Sequence, residues 1–254
     1  MKKILMLAAV VSLLLTTACT THYKMTRVSR SQIVIDQRYD ASPDAQAVAF
    51  LAPYRAKVDA VMGPVVGRVA HDMAAARPES DLSNLLTDIF LYMSKRYNEQ
   101  PDFAVYNMGG IRAALAKGDV TYGDVLDVAP FDNKICFLTL TGDKVLELFR
   151  QIAKRGGEGV SRGVEMVIRP DGQLVSARLH GKAIDPKGSY RIATIDYIAQ
   201  GNDGMTAFKS GTNLNSPQED ENNSRYVIRD FFLEMLHNGQ VIDSKVEGRI
   251  RVEN

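Results

Sequence analysis

The chain has 254 residues, of which 45% are hydrophobic and 24% are charged, enough for one large α/β domain or two small ones. Its formal net charge is +1, whereas a protein that binds nucleic acid is expected to carry a clustered basic face. The composition therefore gives no case for a nucleic-acid partner, and we expect a small ligand.

Residues 1–18 have the pattern of a secretion signal. Lys2 and Lys3 precede an apolar run from residue 4 to residue 15, and three small residues then lead to Cys19. This ending resembles a bacterial lipobox, whose cysteine is lipidated and becomes the mature N-terminus; an ordinary cleaved signal is the alternative. The run is shorter than the ~20 apolar residues of a membrane span. We expect a protein of the bacterial cell envelope, anchored by lipid on Cys19 in the periplasm or at the outer membrane.

Cysteine usage agrees with export. If Cys19 carries lipid, Cys136 has no second cysteine in the chain to pair with, because the sequence contains two cysteines. Cys136 lies in a strand-like apolar run, so we expect a small buried hydrophobic side chain there rather than a reactive thiol.

A polar tether is predicted for residues 19–42, and a single domain for residues 43–254. Ser42 is suited to cap a helix that has Pro43 in its first turn. Four residues then form an apolar stripe at helical spacing, namely Val48, Leu51, Val58 and Val61. Pro53 lies within this helix and predicts a kink or a break.

Strand and helix patterns alternate through the rest of the chain. We predict a strand at 64–70, a helix with apolar positions from Leu82 to Met93, and a buried strand Phe103–Tyr106. An amphipathic helix follows Thr141-Gly142-Asp143, and Asp171-Gly172 predicts a hairpin turn between two strands. A helix at Ser224–His237 and a strand at 248–252 close the chain. The alternation indicates the α/β class, with mixed sheets flanked by helices and an antiparallel component.

Three loop segments carry the residues whose side chains are suited to bind a ligand. They are Asn107–Arg112, Pro130–Asn133 and Asp196–Gly204. Gly109 and Gly110 allow a tight turn and close approach of the backbone to a ligand, and Arg112 offers paired donors to phosphate or ribose oxygens. From residue type alone, core packing is favoured for Phe131 and Tyr197, and Asp203 could serve its own turn.

These motifs, in this order, resemble the C-terminal domain of the 5′-nucleotidase and UDP-sugar hydrolase family, over roughly residues 55–252. The resemblance implies that Phe131 and Tyr197 clamp a nucleobase, that Asp203 accepts from ribose hydroxyls, and that Asn107 and Asn133 make polar contacts with base or ribose. The family often has an arginine near the start of the helix at Asn84. Arg77 is therefore a candidate phosphate contact.

The family's catalytic domain binds two metal ions through histidine-rich motifs, and this chain does not have those motifs. Its four histidines, His22, His71, His180 and His237, are far apart. We expect no catalytic residue, metal ligand or cofactor in this chain, with divalent metals on a partner. Two functions remain open: a stand-alone lipoprotein that serves as the nucleotide-binding subunit of a 5′-nucleotidase-type hydrolase in nucleotide catabolism, acting with a separately encoded metallophosphoesterase, or a non-catalytic nucleotide- or nucleoside-binding lipoprotein.

Overall fold

The computed structural model describes residues 23–253. The predicted signal peptide, Cys19 and the first residues of the tether lie outside this range. Within it, no helix has both the length and the apolar character needed to cross a bilayer. Contacts divide the chain into two compact units between Phe50 and Leu51. The predicted domain start at residue 43 stays a prediction.

Helix α1, Ala45–Met62, differs from its prediction in two respects. Its first turn is capped by Asp44 rather than Ser42, because the Asp44 carboxylate accepts from the backbone N–H groups of Gln46 at 2.9 Å and Ala47 at 2.8 Å. The helix also continues through Pro53, so the predicted break is wrong. The apolar stripe is at least half exposed at each of its four positions.

The remaining elements lie after residue 62. The strands are β1 Val65–Val69, β2 Phe103–Tyr106, β3 Gly118–Thr121, β4 Ile135–Thr141, β5 Gly159–Val160, β6 Val164–Ile168, β7 Leu174–Leu179, β8 Lys182–Ala183, β9 Ser189–Ile195, β10 Thr212–Asn215 and β11 Ile250–Val252. The helices are α2 Asp81–Met93, α3 Tyr122–Val128, α4 Gly142–Lys154, α5 Asp196–Ala199 and α6 Ser224–His237. This arrangement confirms the predicted α/β class with mixed sheets and flanking helices.

The strands of the described residues form three sheets. β1 pairs with β3, while β11, β6, β7 and β8 form a second sheet that contains the predicted hairpin. Gly172 has φ +85° in that hairpin turn, a backbone conformation that favours glycine. The central sheet has the order β10-β4-β9-β2-β5 and includes Cys136, which is buried as expected. Burial raises the pKa of the Cys136 thiol to about 12.

Helix α2 covers one face of the central sheet. Ser80 caps it, since the Ser80 hydroxyl accepts from the backbone of Ser83 and the Ser83 hydroxyl accepts from the backbone of Ser80. The helix buries a stripe of apolar side chains that includes Phe90. The Phe90 ring packs edge-on against the ring of Tyr106 in β2, with 5.6 Å between the ring centroids. The end of β2 is thereby fixed in the core.

Candidate functional site

The strand directions of the central sheet bring the three predicted loop segments to one border. β2 and β9 are parallel, so the residues after Tyr106 and after Ile195 leave the sheet on the same side. β4 runs antiparallel to β9 and pairs its first residue, Ile135, with Ile195. Residues 130–134, which precede β4, therefore reach that same border.

A cavity of about 180 Å³ lies where these loops meet. Seven of the nine predicted binding residues line it, namely Asn107, Gly109, Gly110, Phe131, Asn133, Tyr197 and Asp203. The rings of Phe131 and Tyr197 are 45% and 39% exposed, so core packing is the wrong explanation for both. Binding of a ligand by these residues stays a prediction.

The structure shows which atoms lie next to each of the two glycines. Met108–Gly110 forms a short 3₁₀ turn in which neither glycine has a positive φ, so the turn itself does not require glycine. A Cβ on Gly110 would lie 2.7 Å from Oδ1 of Asn107 and 3.0 Å from the Tyr106 ring. On Gly109 the nearest atom would be Oδ2 of Asp203 at 3.8 Å. Gly110 is thus needed for close packing, whereas Gly109 leaves open space beside the Asp203 carboxylate.

Asp203 is held by side chains from two loops. The amide of Asn107 donates to Oδ2 of Asp203 at 2.7 Å, and the Tyr197 hydroxyl donates to Oδ1 at 3.3 Å. The negative charge of Asp203 raises the pKa of Tyr197, so the phenol stays protonated as a donor at neutral pH. In the turn itself the neighbouring Asn202 makes the local bond, donating to the Tyr197 carbonyl at 2.7 Å. Asp203 therefore serves the cavity more than its own turn.

The N-terminal end of α6 fixes the Phe131 loop. Arg225 donates to the Pro130 carbonyl at 2.9 Å and pairs with the Asp132 carboxylate. The backbone N–H of Ser224 donates to the Asn133 carbonyl at 2.7 Å. These contacts on both sides of Phe131 set the position from which its ring lines the cavity.

Arg112 and Arg77, the two other predicted binding residues, do not line the cavity. Arg112 is exposed and donates to the Gly109 carbonyl at 3.3 Å, which places it beside the binding loop. Arg77 instead pairs with the buried Glu158. Arg155 approaches the carboxylate in the cavity lining, since its Nη2 lies 3.7 Å from Oδ2 of Asp203.

Sequence reasoning did not single out Arg155 or Glu158. They bracket Gly156 and Gly157, both of which have positive φ. A charged pair around two glycines, between a helix and a buried strand, is the signal that could have identified them.

His71 contacts groups from two distant segments of the chain. Its Nδ1 lies 2.8 Å from the Asp72 carbonyl and its Nε2 lies 2.9 Å from the Ser244 carbonyl. Because carbonyl oxygens only accept, these contacts favour the doubly protonated ring, and the hydrogen bond to Asp72 is the largest cause of a raised His71 pKa. No three histidine, cysteine, aspartate or glutamate side chains between residues 23 and 253 cluster as a metal site.

Comparison with known proteins gives a consistent set of relatives. The family model for the 5′-nucleotidase C-terminal domain matches residues 65–210. Protein UshA of Yersinia enterocolitica is 31% identical over 174 residues, which are 65% of this chain and 30% of that protein. The trifunctional nucleotide phosphoesterase YfkN of Bacillus subtilis is 28% identical over 241 residues, 87% of this chain and 16% of its own length.

The same similarity is seen among solved structures. A 5′-nucleotidase precursor from Thermus thermophilus superposes with a TM-score of 0.71 at 27% identity and covers 85% of this chain and 45% of that one. The chain thus spans less than a third of these curated relatives and less than half of the solved structure.

Proposed function

The chain belongs to the family of 5′-nucleotidase C-terminal domains, and from this premise we propose that it binds a nucleotide as the recognition part of a 5′-nucleotidase-type hydrolase in nucleotide catabolism. A separately encoded metallophosphoesterase supplies the metals and cleaves the phosphate ester. The observation that carries the proposal is the cavity in which two half-exposed aromatic rings meet a carboxylate and two amides.

The two rings suit a planar base. Phe131 and Tyr197 expose large apolar faces to a cavity of about 180 Å³, which is below the roughly 300–1,000 Å³ of sites for drug-sized ligands. This space suits one ring system with part of a sugar. Stacking of a base on an aromatic side chain is worth roughly 1–3 kcal/mol by alanine substitution, so the rings supply affinity that depends little on which base is bound.

The polar side chains suit the sugar. An ionised carboxylate only accepts hydrogen bonds, and Asp203 has accepting capacity left beyond Asn107 and Tyr197. The hydroxyls of a ribose are matching donors. Asn133 offers an amide at the same cavity, which can meet the edge of a base or a hydroxyl.

Arg112 is the proposed phosphate contact. It is exposed beside the Gly109 carbonyl at the edge of the cavity, and a guanidinium presents paired donors that match phosphate oxygens. A phosphate held there would extend out of the cavity toward a partner. Positioning of this kind lowers the entropic part of a barrier without itself breaking a bond.

The proposed place of action is the bacterial cell envelope, with lipid on Cys19 as the anchor. The segment before Cys19 supports this placement. The metallophosphoesterase partner would then meet the protein at the membrane surface.

Isothermal titration with AMP and adenosine tests the binding step. We expect saturable binding by the wild type and weaker binding of AMP, with adenosine unchanged, in Arg112→Ala. Arg178→Ala, which removes an arginine from β7 of another sheet, is the matched control. Absence of binding to both compounds by folded wild-type protein would reject the proposed function.

A separate experiment tests whether hydrolysis requires the metallophosphoesterase partner. The purified chain with Mn²⁺ or Zn²⁺ should not hydrolyse AMP, whereas a complex isolated from native membranes should. Robust turnover by the pure chain would reject the need for a partner. Nucleotide binding combined with an inactive membrane complex would favour a non-catalytic binding lipoprotein instead.

A further inference from the structure

Glu158 is a buried carboxylate just outside the cavity. Its side chain has no exposed surface, and it lies between Gly157 and the first residue of β5. A carboxylate removed from water is costly unless charged or hydrogen-bonding partners compensate it. The identity of those partners therefore indicates what this residue does.

The partners of Glu158 connect it to both ends of the Asn107–Asp203 pair. Its Oε2 accepts from the backbone N–H of Met108, the residue that follows Asn107. Its Oε1 accepts from Nε of Arg155, and Nη2 of the same guanidinium faces Oδ2 of Asp203. With the bond from Asn107 to Asp203, these contacts close a ring.

The distances within this ring are unequal. Nε of Arg155 lies 2.5 Å from Oε1 of Glu158, whereas Nη2 of Arg155 lies 3.7 Å from Oδ2 of Asp203. A separation of 3.7 Å is beyond the range of an N–H···O hydrogen bond. Glu158 therefore competes successfully for the guanidinium. Asp203 keeps a nearby positive charge, but this cation does not occupy its oxygens.

This competition matters for the ligand. If Glu158 were neutral, Arg155 could turn its fork of donors to Asp203, since arginine and carboxylate pair readily in a bidentate geometry. The oxygens that a pair of adjacent hydroxyls needs would then be occupied. Arg77, which also donates to Oε1 of Glu158, helps to keep the Glu158 side chain in place.

We propose that Glu158 is a positioning residue that keeps Asp203 free for ligands with a vicinal diol, and so sets the preference for ribosides over ligands without adjacent hydroxyls. The inference rests on the proposed function, because it concerns the same cavity. It adds a residue that touches no ligand but decides which ligand class binds.

The experiment compares adenosine with 2′,3′-dideoxyadenosine, which has the same base but no diol. Isothermal titration of the wild type should give a preference for adenosine of about tenfold or more, the size expected for hydrogen bonds to a charged group. Glu158→Gln should lose most of that preference while its affinity for the dideoxy compound is unchanged. Glu165→Gln, at an exposed position on β6, should behave as wild type.

A double variant separates positioning from damage to the fold. In Glu158→Gln combined with Arg155→Met, no guanidinium is left to capture Asp203, so the preference for adenosine should return. A purely structural role for Glu158 predicts no such recovery. If Glu158→Gln does not fold, Arg155→Met alone decides: retained preference supports the inference, and lost preference would make Arg155 a sugar contact and overturn it.

The outcomes also separate this inference from the proposed function. If folded wild-type protein binds neither compound, the proposed function fails and the inference fails with it. If the wild type prefers adenosine and folded Glu158→Gln keeps the full preference, the inference alone is wrong.

Discussion

Asn107 and Asp203 are 96 residues apart in the chain, yet the Asn107 amide donates a 2.7 Å hydrogen bond to the Asp203 carboxylate. The bond joins the loop after β2 to the loop after β9. Both residues line the same cavity, so their hydrogen bond forms only when the two loops are correctly placed. Substitutions that separate the two residues should therefore lower the affinity for ligand more than they lower the stability of the fold.

The first prediction concerns the two rings. Phe131→Ala should weaken binding of AMP, adenosine and adenine alike, by about 1–3 kcal/mol, because a stacking face is removed. Tyr197→Phe keeps its face and loses only the hydroxyl that donates to Asp203, so adenine should bind as before. Titration of both variants checks this, with Val175→Ala at an exposed strand position as control. Unchanged adenine affinity in Phe131→Ala would contradict the stacking role.

The second prediction concerns the two glycines. Gly110→Ala places a Cβ 2.7 Å from Oδ1 of Asn107, so Asn107 must move and its bond to Asp203 should weaken. We expect a loss of unfolding free energy of about 1–3 kcal/mol, the usual cost of overpacking, together with weaker nucleoside binding. Gly109→Ala is the matched control, because its Cβ meets nothing closer than 3.8 Å, and its stability should stay within about 0.5 kcal/mol of wild type. Urea unfolding measures both, and equal losses would refute the packing argument.

The third prediction concerns pH and His71. The ring contacts the carbonyls of Asp72 and Ser244 and faces the carboxylates of Asp81 and Asp243, which together favour its charged form. Since the folded pKa is raised above the ordinary value of 6.5, the stabilising contribution is fully present below that value and is lost as pH rises through the folded pKa.

Thermal unfolding measured from pH 5 to pH 9 tests this. The gap in Tm between wild type and His71→Ala should be largest at the acid end and should shrink as pH rises above about 6.5. His237→Ala, at the exposed end of α6, controls for the loss of one histidine. A gap that grows with pH would mean that the neutral ring is the stabilising form.

The fourth prediction concerns Cys19. If lipid on this residue anchors the protein, Cys19→Ser should move it from the membrane fraction to the soluble fraction and abolish labelling by a radioactive fatty acid. Cys136→Ser is the matched control, because that thiol is buried in β4 and should not affect the anchor. Continued labelling of the Cys19→Ser protein would exclude Cys19 as the lipidated residue.

The residues of the binding loops were predictable from the sequence because their motifs, in this order, resemble those of a known family. From residue type alone, Phe131 could pack in the core and Asp203 could serve its own turn. The family resemblance implied that both belong to a binding site, and the structure brings both to one cavity. The two residues meet because of the directions in which β2, β4 and β9 run. In a mixed sheet these directions cannot be predicted from the sequence.

Other features depend on contacts between residues that are far apart in the chain. The partners of Glu158 come from residues 77, 108 and 155, and no spacing along the chain encodes that meeting. Arg77 pairs with the buried Glu158, and its role as a phosphate contact stays a prediction. Asp44 rather than Ser42 caps α1 because the helix starts later than the position of Pro43 suggests. Helix α1 continues through Pro53 although proline has no N–H to donate at that position.

The antiparallel pairing of β4 with β9 has a practical consequence for experiments. Thr141 pairs with Ser189 at the far end of these strands, six residue pairs away from Ile135 and Ile195. The turn that contains Lys187 therefore lies at the distal end of the sheet and is exposed. A surface linker attached in this turn would hold the protein for binding measurements and leave the cavity, at the opposite end of the strands, open to ligand.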